Sequence, residues 1–144
     1  MRAIEHQEQV HVINWFSLLM APNNNFDPKL LFAIPNGGRR DRVSGAKLKE
    51  EGVRAGVPDL FLAIPVGCHH GMFIELKQSQ RGRSKVSPMQ HEMMTRLSEQ
   101  GYHCVIGWGA DDAIDKIERY LKGWETSVED GQLVAAHPWP QGAR

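Results

Sequence analysis

The chain has 144 residues, 41% hydrophobic and 24% charged, and its 17 Lys and Arg residues balance 17 Asp and Glu residues to a formal net charge of zero. This composition is typical of one globular domain that is long enough to bury a core, whereas neutrality argues against a nucleic-acid partner, because such proteins usually carry a basic excess. No run of about 18 apolar residues is present, the N-terminus lacks the apolar stretch of a signal peptide, and two cysteines cannot form a disulfide framework. These features predict a cytoplasmic protein that makes no use of a membrane.

The first half of the chain predicts two helices and one strand. Apolar residues at helical spacing indicate a helix over residues 4–20, which Pro22 and the asparagines after it should end. Residues 30–34 form a short apolar run before a Pro-Asn-Gly-Gly turn, which indicates a buried strand. Ser44 is a candidate N-cap for a short helix that Gly52 would close.

The second half alternates strands and helices. We predict strands over residues 58–64, 72–77 and 103–107, and helices over residues 88–100 and 111–121. The sequence Ser-Pro-Met-Gln before the first of these helices is typical of a capping box. The resulting order, α-β-α-β-β-α-β-α, is that of one mixed α/β domain over residues 1–122, followed by a C-terminal tail over residues 123–144.

Three polar residues stand out on the two consecutive central strands. A hairpin centred on Gly67 places Asp59 directly opposite Glu75, with Cβ atoms about 4.5–5.5 Å apart. Lys77 follows two residues after Glu75 and therefore shares its face of the strand. The alternate residues are apolar and supply the core.

Two opposed carboxylates repel each other unless a cation lies between them. Hard oxygen ligands with room for water and phosphate describe a Mg²⁺ site, to which the backbone carbonyl of Leu76 could contribute. Lys77 could then orient a water molecule or neutralise charge that develops on a phosphate. The competing interpretation is a plain salt bridge at the strand edge, and the three residues alone do not decide between the two.

Two basic segments are candidates for phosphate contacts. The turn over residues 36–40 offers flexible backbone amides and then two cations, and the loop that joins Lys77 to the next helix is basic. The alternative in both cases is a solvated loop. The candidate DNA-binding residues are Asn36, Gly37, Gly38, Arg39, Arg40, Arg81, Arg83 and Lys85.

A longer stretch of sequence resembles a known family. Residues 32–40 read FAIPNGGRR and residues 45–62 read GAKLKEEGVRAGVPDLFL, and they are followed by FIELK and SPMQ. These ordered motifs, with about residues 3–122 around them, are similar to the VRR-Nuc nucleases of the PD-(D/E)xK superfamily, whose freestanding members are often encoded by bacteriophages. The resemblance implies a restriction-endonuclease-like fold, a mixed four-stranded sheet flanked by helices, and phosphodiester cleavage that depends on Mg²⁺ or Mn²⁺, with no small-molecule cofactor.

The resemblance also assigns roles to individual residues. It implies that Asp59 and Glu75 bind the metal, that Lys77 is the catalytic lysine, and that Gln90 and Glu5 belong to the active-site set. Glu8 lies one helical turn from Glu5, so the sequence leaves open which of the two reaches the metal. The resemblance further implies branched DNA such as Holliday junctions or flaps as the substrate, and a homodimer as the working form. A phage-encoded enzyme would act in the cytoplasm of its bacterial host.

The neutral total conceals a segregated charge. Residues 29–96 carry twelve positive and six negative groups, a net charge of +6, whereas residues 1–28 carry −2 and residues 97–144 carry −4. The basic segment contains the turn, the carboxylate hairpin and the basic loop, so a DNA partner is compatible with the composition. The sequence therefore predicts a structure-selective, metal-dependent DNA endonuclease. The alternatives are a sequence-specific restriction-type endonuclease and a DNA-binding module without activity.

Overall fold

The structure, a computed structural model, describes residues 3–35, 42–79, 84–129 and 132–138. Helix α1 spans Ala3–Trp15 and passes through a π-helical segment, Phe16–Met20, into α2, Ala21–Asn24. The helical stretch therefore continues through Pro22 and ends within the asparagine run, as predicted, with Asn25 in the left-handed conformation. The ring is tolerated because Pro22 lies in the first turn of α2, where a backbone N–H is not required.

Four strands form one mixed sheet in the order β1-β2-β3-β4. They span Leu31–Ala33, Leu60–Leu62, Met72–Lys77 and His103–Trp108. The first three strands run antiparallel to their neighbours, and β3 pairs with β4 in parallel. The predicted mixed sheet flanked by helices is confirmed.

The described residues also include a short 3-10 helix, Pro28–Leu30, and three further α-helices: α3 spans Arg42–Glu50, α4 spans Pro88–Glu99 and α5 spans Ala110–Leu121. The prediction of Ser44 as the N-cap is wrong, because α3 begins two residues earlier and Ser44 lies inside the helix. Gly52 follows α3 with φ of 100°, a conformation that favours glycine, as expected for the residue that closes a helix.

The two faces of the sheet differ in what they bury. One face is apolar and packs against α1 and α5 in a single core, whereas the other carries aromatic and charged side chains and is approached by α4. The buried side chains of the core include Val12, Phe16, Leu60, Leu62, Met72, Ile74, Ala113 and Ile117. The core is thus confined to one face, and the polar face of the hairpin is left for the site.

The segment predicted as a tail contains two antiparallel strands, β5 (Trp124–Glu129) and β6 (Gln132–Pro138), which the sequence pattern did not predict. A domain boundary at residue 122 stays a prediction. In the part of the chain that the structure describes, no helix is both long enough and apolar enough to span a membrane.

Candidate active site

The β2–β3 hairpin has the register that the sequence predicts. Leu60 pairs with Ile74 and Leu62 with Met72, so continuing the ladder by one residue places Asp59 opposite Glu75. Asp59 lies just before β2, and its Oδ2 accepts a hydrogen bond of 2.8 Å from the backbone amide of Leu76. The side chain of Asp59 thereby extends the ladder beyond the end of the strand.

Glu75 is buried at the centre of this arrangement, with 3% of its surface exposed. Its Oε1 accepts a 2.8 Å hydrogen bond from Nε2 of Gln90 and lies 3.6 Å from Nζ of Lys77, which is also buried. Its Oε2 is buried and accepts no hydrogen bond from the described residues. A buried carboxylate oxygen without a donor is costly, so this atom has the environment of an unfilled ligand.

The pKa values of the carboxyl groups report the same deficit of positive charge. Burial, followed by the charge of Asp59, raises the pKa of Glu75 to about 8, although the ammonium of Lys77 opposes this rise. Burial is also the main cause that raises the pKa of Asp59, against the hydrogen bond from Leu76 and the charge of Lys77, and Glu5 adds to the rise. One lysine does not offset one buried and one partly buried carboxylate, so an additional cation would favour their ionised forms.

These residues line a cavity of about 590 Å³. Glu5 and Gln9, one turn apart on α1, face the cavity together, as the helical spacing predicts. Glu8 does not line it; its carboxylate instead approaches Gly109 at the beginning of α5. The cavity is lined by Glu5, Gln9, Ala33, Ile34, Pro35, Ala55, Gly56, Val57, Asp59, Glu75, Leu76, Lys77 and Gln90.

Helix α4 delivers Gln90 through the capping box that the sequence predicts. The Ser87 hydroxyl accepts a 3.2 Å hydrogen bond from the backbone amide of Gln90, and the backbone amide of Ser87 donates a 2.9 Å hydrogen bond to the side-chain Oε1 of Gln90. The amide group of the Gln90 side chain then donates to Glu75 through its nitrogen. Gln90 therefore makes the structural contact and the active-site contact at once, one with each end of its side chain.

The oxygen ligands available at this site fit a hard divalent cation. Neighbouring residues of a strand direct their backbone groups to opposite sides, and the Lys77 carbonyl accepts from Gly109 on the β4 side. The Leu76 carbonyl therefore faces the same side as Asp59, where it could join two carboxylates as a third oxygen ligand. Among the described residues there is no cluster of three or more His, Cys, Asp or Glu side chains arranged for a metal, so water and phosphate oxygens would have to complete the shell.

Comparison with known proteins agrees with this geometry. The model of the VRR-NUC domain family matches residues 3–107, which include every cavity residue named above. The chain belongs to the VRR-NUC family. A solved structure described as a VRR_NUC domain protein is 31% identical, with a TM-score of 0.69 over 85% of this chain and 91% of that chain. A comparison with curated proteins found no match. VRR-NUC is a family of nucleases, so DNA is the expected class of substrate.

Most of the predicted DNA-binding residues of this VRR-NUC protein lie outside the described part of the chain. These are Asn36, Gly37, Gly38, Arg39, Arg40, Arg81 and Arg83. Lys85 is described and is exposed at the surface, where it is accessible to a phosphate. The contacts of these residues with DNA remain predictions, since the described residues include only one of them.

Sequence reasoning did not assign two features of the VRR-NUC site. Gln9 has a buried Oε1 atom that accepts no hydrogen bond from the described residues, and its spacing from Glu5 was the available signal. Gly56 has φ of 85°, and a Cβ atom added to it would lie 2.4 Å from the carbonyl oxygen of Met89. Only glycine permits this close approach between the loop before Asp59 and the beginning of α4.

Proposed function

We propose that this VRR-NUC protein is a divalent-metal-dependent endonuclease that hydrolyses phosphodiester bonds in branched DNA, such as Holliday junctions or flaps. The observation that carries the proposal is buried Glu75 facing partly buried Asp59 beside Lys77 in an open cavity, with one oxygen of Glu75 lacking any donor among the described residues. A buried carboxylate oxygen without a donor lowers stability, and such groups are characteristic of functional sites.

In this proposal Asp59, Glu75 and the carbonyl of Leu76 would hold Mg²⁺ or Mn²⁺. When bound, the ion would supply Lewis-acid stabilisation of the phosphate and would make a neighbouring water more acidic. Two hydrogen bonds hold these carboxylates in place. The backbone amide of Leu76 donates to Asp59, and the side-chain amide of Gln90 donates to one oxygen of Glu75. The second oxygen of Glu75 is left for the ion.

Lys77 is the residue that we propose to orient the attacking water and to stabilise negative charge on the scissile phosphate. Its side chain is buried and its Nζ lies 3.6 Å from Oε1 of Glu75, so the position of the ammonium group is restricted. Glu5 faces the same cavity and could assist through a water. We expect cleavage to leave a 5′-phosphate and a 3′-hydroxyl.

Recognition in this proposal depends on DNA shape rather than sequence. The segment over residues 29–96, with a net charge of +6, contains Asp59, Glu75, Lys77 and Gln90, which favours contacts with the phosphate backbone, and such contacts position the DNA without reading its bases. We also propose a homodimer, because two sites related by a two-fold axis would match the near two-fold symmetry of a four-way junction. Sedimentation of a species of 16.2 kDa at micromolar concentration would contradict the dimer.

The test is a cleavage assay on three DNA substrates of equal length: a four-way junction, a flap and a plain duplex. We expect cleavage of one or both branched substrates with Mg²⁺ or Mn²⁺, little cleavage of the duplex, and no cleavage in EDTA. Cleavage that requires a particular base sequence in the plain duplex would favour a restriction-type enzyme. Binding without cleavage under any metal would show a DNA-binding module, and equal cleavage of all three substrates would disprove structure selectivity.

A further inference from the structure

Aromatic side chains cross the sheet on the face that carries the active-site carboxylates. The rings of Phe32 and Phe61 have centroids 5.7 Å apart with planes at 74°, and those of Phe61 and Phe73 are 4.4 Å apart. Tyr102, just before β4, lies 5.3 Å from Phe73 and continues the series. We call Phe32, Phe61, Phe73 and Tyr102 the aromatic row.

The aromatic row lies next to the proposed site of cleavage. Phe61 and Phe73 pair with each other, and each is two residues from a carboxylate of the hairpin, Asp59 or Glu75. Residues two apart on a strand share a face and are separated by about 7 Å, so Phe61 and Phe73 lie at about that distance from the carboxylate pair. Phe32 pairs with Phe61 on the neighbouring strand, about 4.8 Å farther across the sheet.

Phe32 is the open end of the row. Its side chain lies on the edge strand β1 and is 44% exposed, whereas the other three rings are partly buried. Toward the site, the strand continues through Ile34, whose amide donates a 2.8 Å hydrogen bond to the carbonyl of Asp59 and whose side chain lines the cavity. An apolar strip formed by Phe32 and Ile34 therefore leads from the cleft to the surface without an intervening charge.

We infer that Phe32 is a stacking platform for an unpaired nucleobase next to the scissile phosphate. The inference rests on the proposed function, since it takes the carboxylate pair as the point of cleavage. Every base has a π-face that can stack on an aromatic side chain, and such stacking does not require a particular sequence. The bases of an intact duplex are stacked on each other, so only a strand that is single or splayed at the cut site can use the platform.

The size of the exposed feature favours this occupant over a protein partner. A stable interface between two protein chains buries about 800 Å² from each partner, far more than one phenyl ring and a neighbouring isoleucine provide. One exposed ring held by a neighbouring aromatic side chain is suited to one base. The platform would therefore select DNA that has an unpaired nucleotide at the cleavage site.

The test compares DNA binding by the full-length protein in EDTA, where cleavage does not interfere. The probe is a flap substrate with 2-aminopurine as its first unpaired nucleotide, and the reference is a duplex of the same length. We expect Phe32→Ala to weaken binding of the flap about five- to fiftyfold, as the loss of one stacked base would, with less than about a twofold change for the duplex. It should also abolish the quenching of 2-aminopurine that the wild-type protein causes.

Two further variants keep the result interpretable. Phe32→Trp should restore both flap binding and quenching, because it retains an aromatic face. Leu18→Ala removes an apolar side chain that is 72% exposed on the helical layer, and it should bind both DNAs as the wild type does. Thermal unfolding of each variant shows whether the fold is intact.

Three results would overturn the inference: unchanged flap binding by Phe32→Ala, an equal loss for flap and duplex in a folded variant, or a change confined to oligomeric state in sedimentation. Failure of the proposed function gives a different result. In that case the wild-type protein does not cleave any substrate with Mg²⁺ or Mn²⁺, whereas the preference for the flap in EDTA and its dependence on Phe32 can still be measured.

Discussion

At the two ends of the central strands, burial shifts the pKa values of ionisable groups in opposite directions. Where β4 begins, His103 is partly buried and stacks on Tyr120 with ring centroids 5.6 Å apart and planes at 8°. Burial, with the charge of His69 as a second cause, lowers the pKa of His103 to about 4. Near the end of β3, burial raises the pKa of Glu75 to about 8. In both cases desolvation disfavours the charged form.

The difference lies in how each end deals with the neutral form. Neutral His103 packs against an aromatic ring, and the hydroxyl of Tyr120 is itself satisfied by a 2.6 Å hydrogen bond to the carbonyl of Ile64. At the other end, Glu75 keeps a buried oxygen without a donor among the described residues, beside a second carboxylate and an open cavity. At the histidine end the neutral ring of His103 is stacked on an aromatic partner, whereas at the carboxylate end two acidic groups face each other and an open cavity. Burial of an ionisable group is therefore a stronger indication of function where a second like charge and a cavity accompany it.

The largest effect that separates the two ends is expected for Lys77→Ala. Removing the only cation that contacts Glu75 among the described residues should lower the cleavage rate by about 100- to 1000-fold, the effect typical of losing one group that stabilises transition-state charge. Single-turnover cleavage of a flap or junction measures this. Binding of the same DNA in Ca²⁺ should be nearly unchanged. As a control, Lys29→Ala alters an exposed lysine away from the cavity and should cleave at the wild-type rate. Cleavage by Lys77→Ala at the wild-type rate would disprove the proposed mechanism.

The next effect concerns the stability of the carboxylate end. The pKa of Glu75 is higher in the folded state than in the unfolded state, so its contribution to stability is present below about pH 4.5 and is lost as the pH rises through about 8 in the absence of a cation. Glu75→Gln keeps the shape and removes the charge, so in EDTA at pH 8 it should raise the Tm by several degrees, at roughly 2–4 °C per kcal/mol.

Scanning calorimetry with and without Mg²⁺ completes this test. The ion should raise the Tm of the wild-type protein, and more so at pH 6 to 8 than at pH 5, because its binding displaces the proton from the carboxylate pair. Glu75→Gln should respond little to Mg²⁺. An equal response of both proteins would place the ion elsewhere.

The histidine end should show the opposite dependence on pH. Because the pKa of His103 is about 4 when folded and 6.5 when unfolded, the unfolded state binds the proton first, and stability falls as the pH decreases from about 6.5 to 4. His103→Phe should remove this loss, which we expect to be on the order of 2 kcal/mol. Urea unfolding at pH 7 and pH 4.5 measures it, with His6→Phe on the exposed surface as the control. A loss that is identical in the wild type and in His103→Phe would assign it to another group.

The smallest effect is expected at the capping box. Ser87→Ala removes the acceptor of the Gln90 amide and should cost about 1 kcal/mol of stability, whereas Ser87→Thr should retain most of it. The same change loosens the side chain that holds Glu75, so a modest loss of cleavage should accompany the loss of stability. If Ser87→Ala lowers stability and leaves cleavage untouched, Gln90 does not depend on the cap for its position.

Features set by local sequence could be predicted from it. Centring the hairpin on Gly67 in its Pro/Gly loop predicted the pairing of Asp59 with Glu75, and the buried face followed from alternation along β2 and β3. The capping box was readable because Ser87 and Gln90 satisfy each other within one turn. Each of these depends on residues close in sequence, or on one short loop.

Features set by packing could not be predicted. Helical periodicity placed Glu5 and Glu8 one turn apart but could not show which faced the cavity, because that depends on how α1 docks on the sheet. The π-helical segment Phe16–Met20 leaves no pattern in its apolar run by which the sequence could show it. The strands β5 and β6 occur in a segment without strong alternation, and the same absence of a signal explains why they were not predicted.

In the hydrogen bond from the Leu76 backbone amide to Asp59, a side-chain carboxylate takes the role that a main-chain carbonyl has in a β-ladder. Asp59 lies one residue before β2 begins, and there a carboxylate oxygen accepts this amide in the position where a ladder would use a backbone carbonyl. The residue proposed to bind the ion therefore also closes the hairpin, so its two tasks can be separated by chemistry. An asparagine at position 59 would still accept the amide while lacking the charge, and would yield an intact hairpin with a weakened site. An alanine would open the last rung of the ladder as well, so the same position can yield two distinct losses.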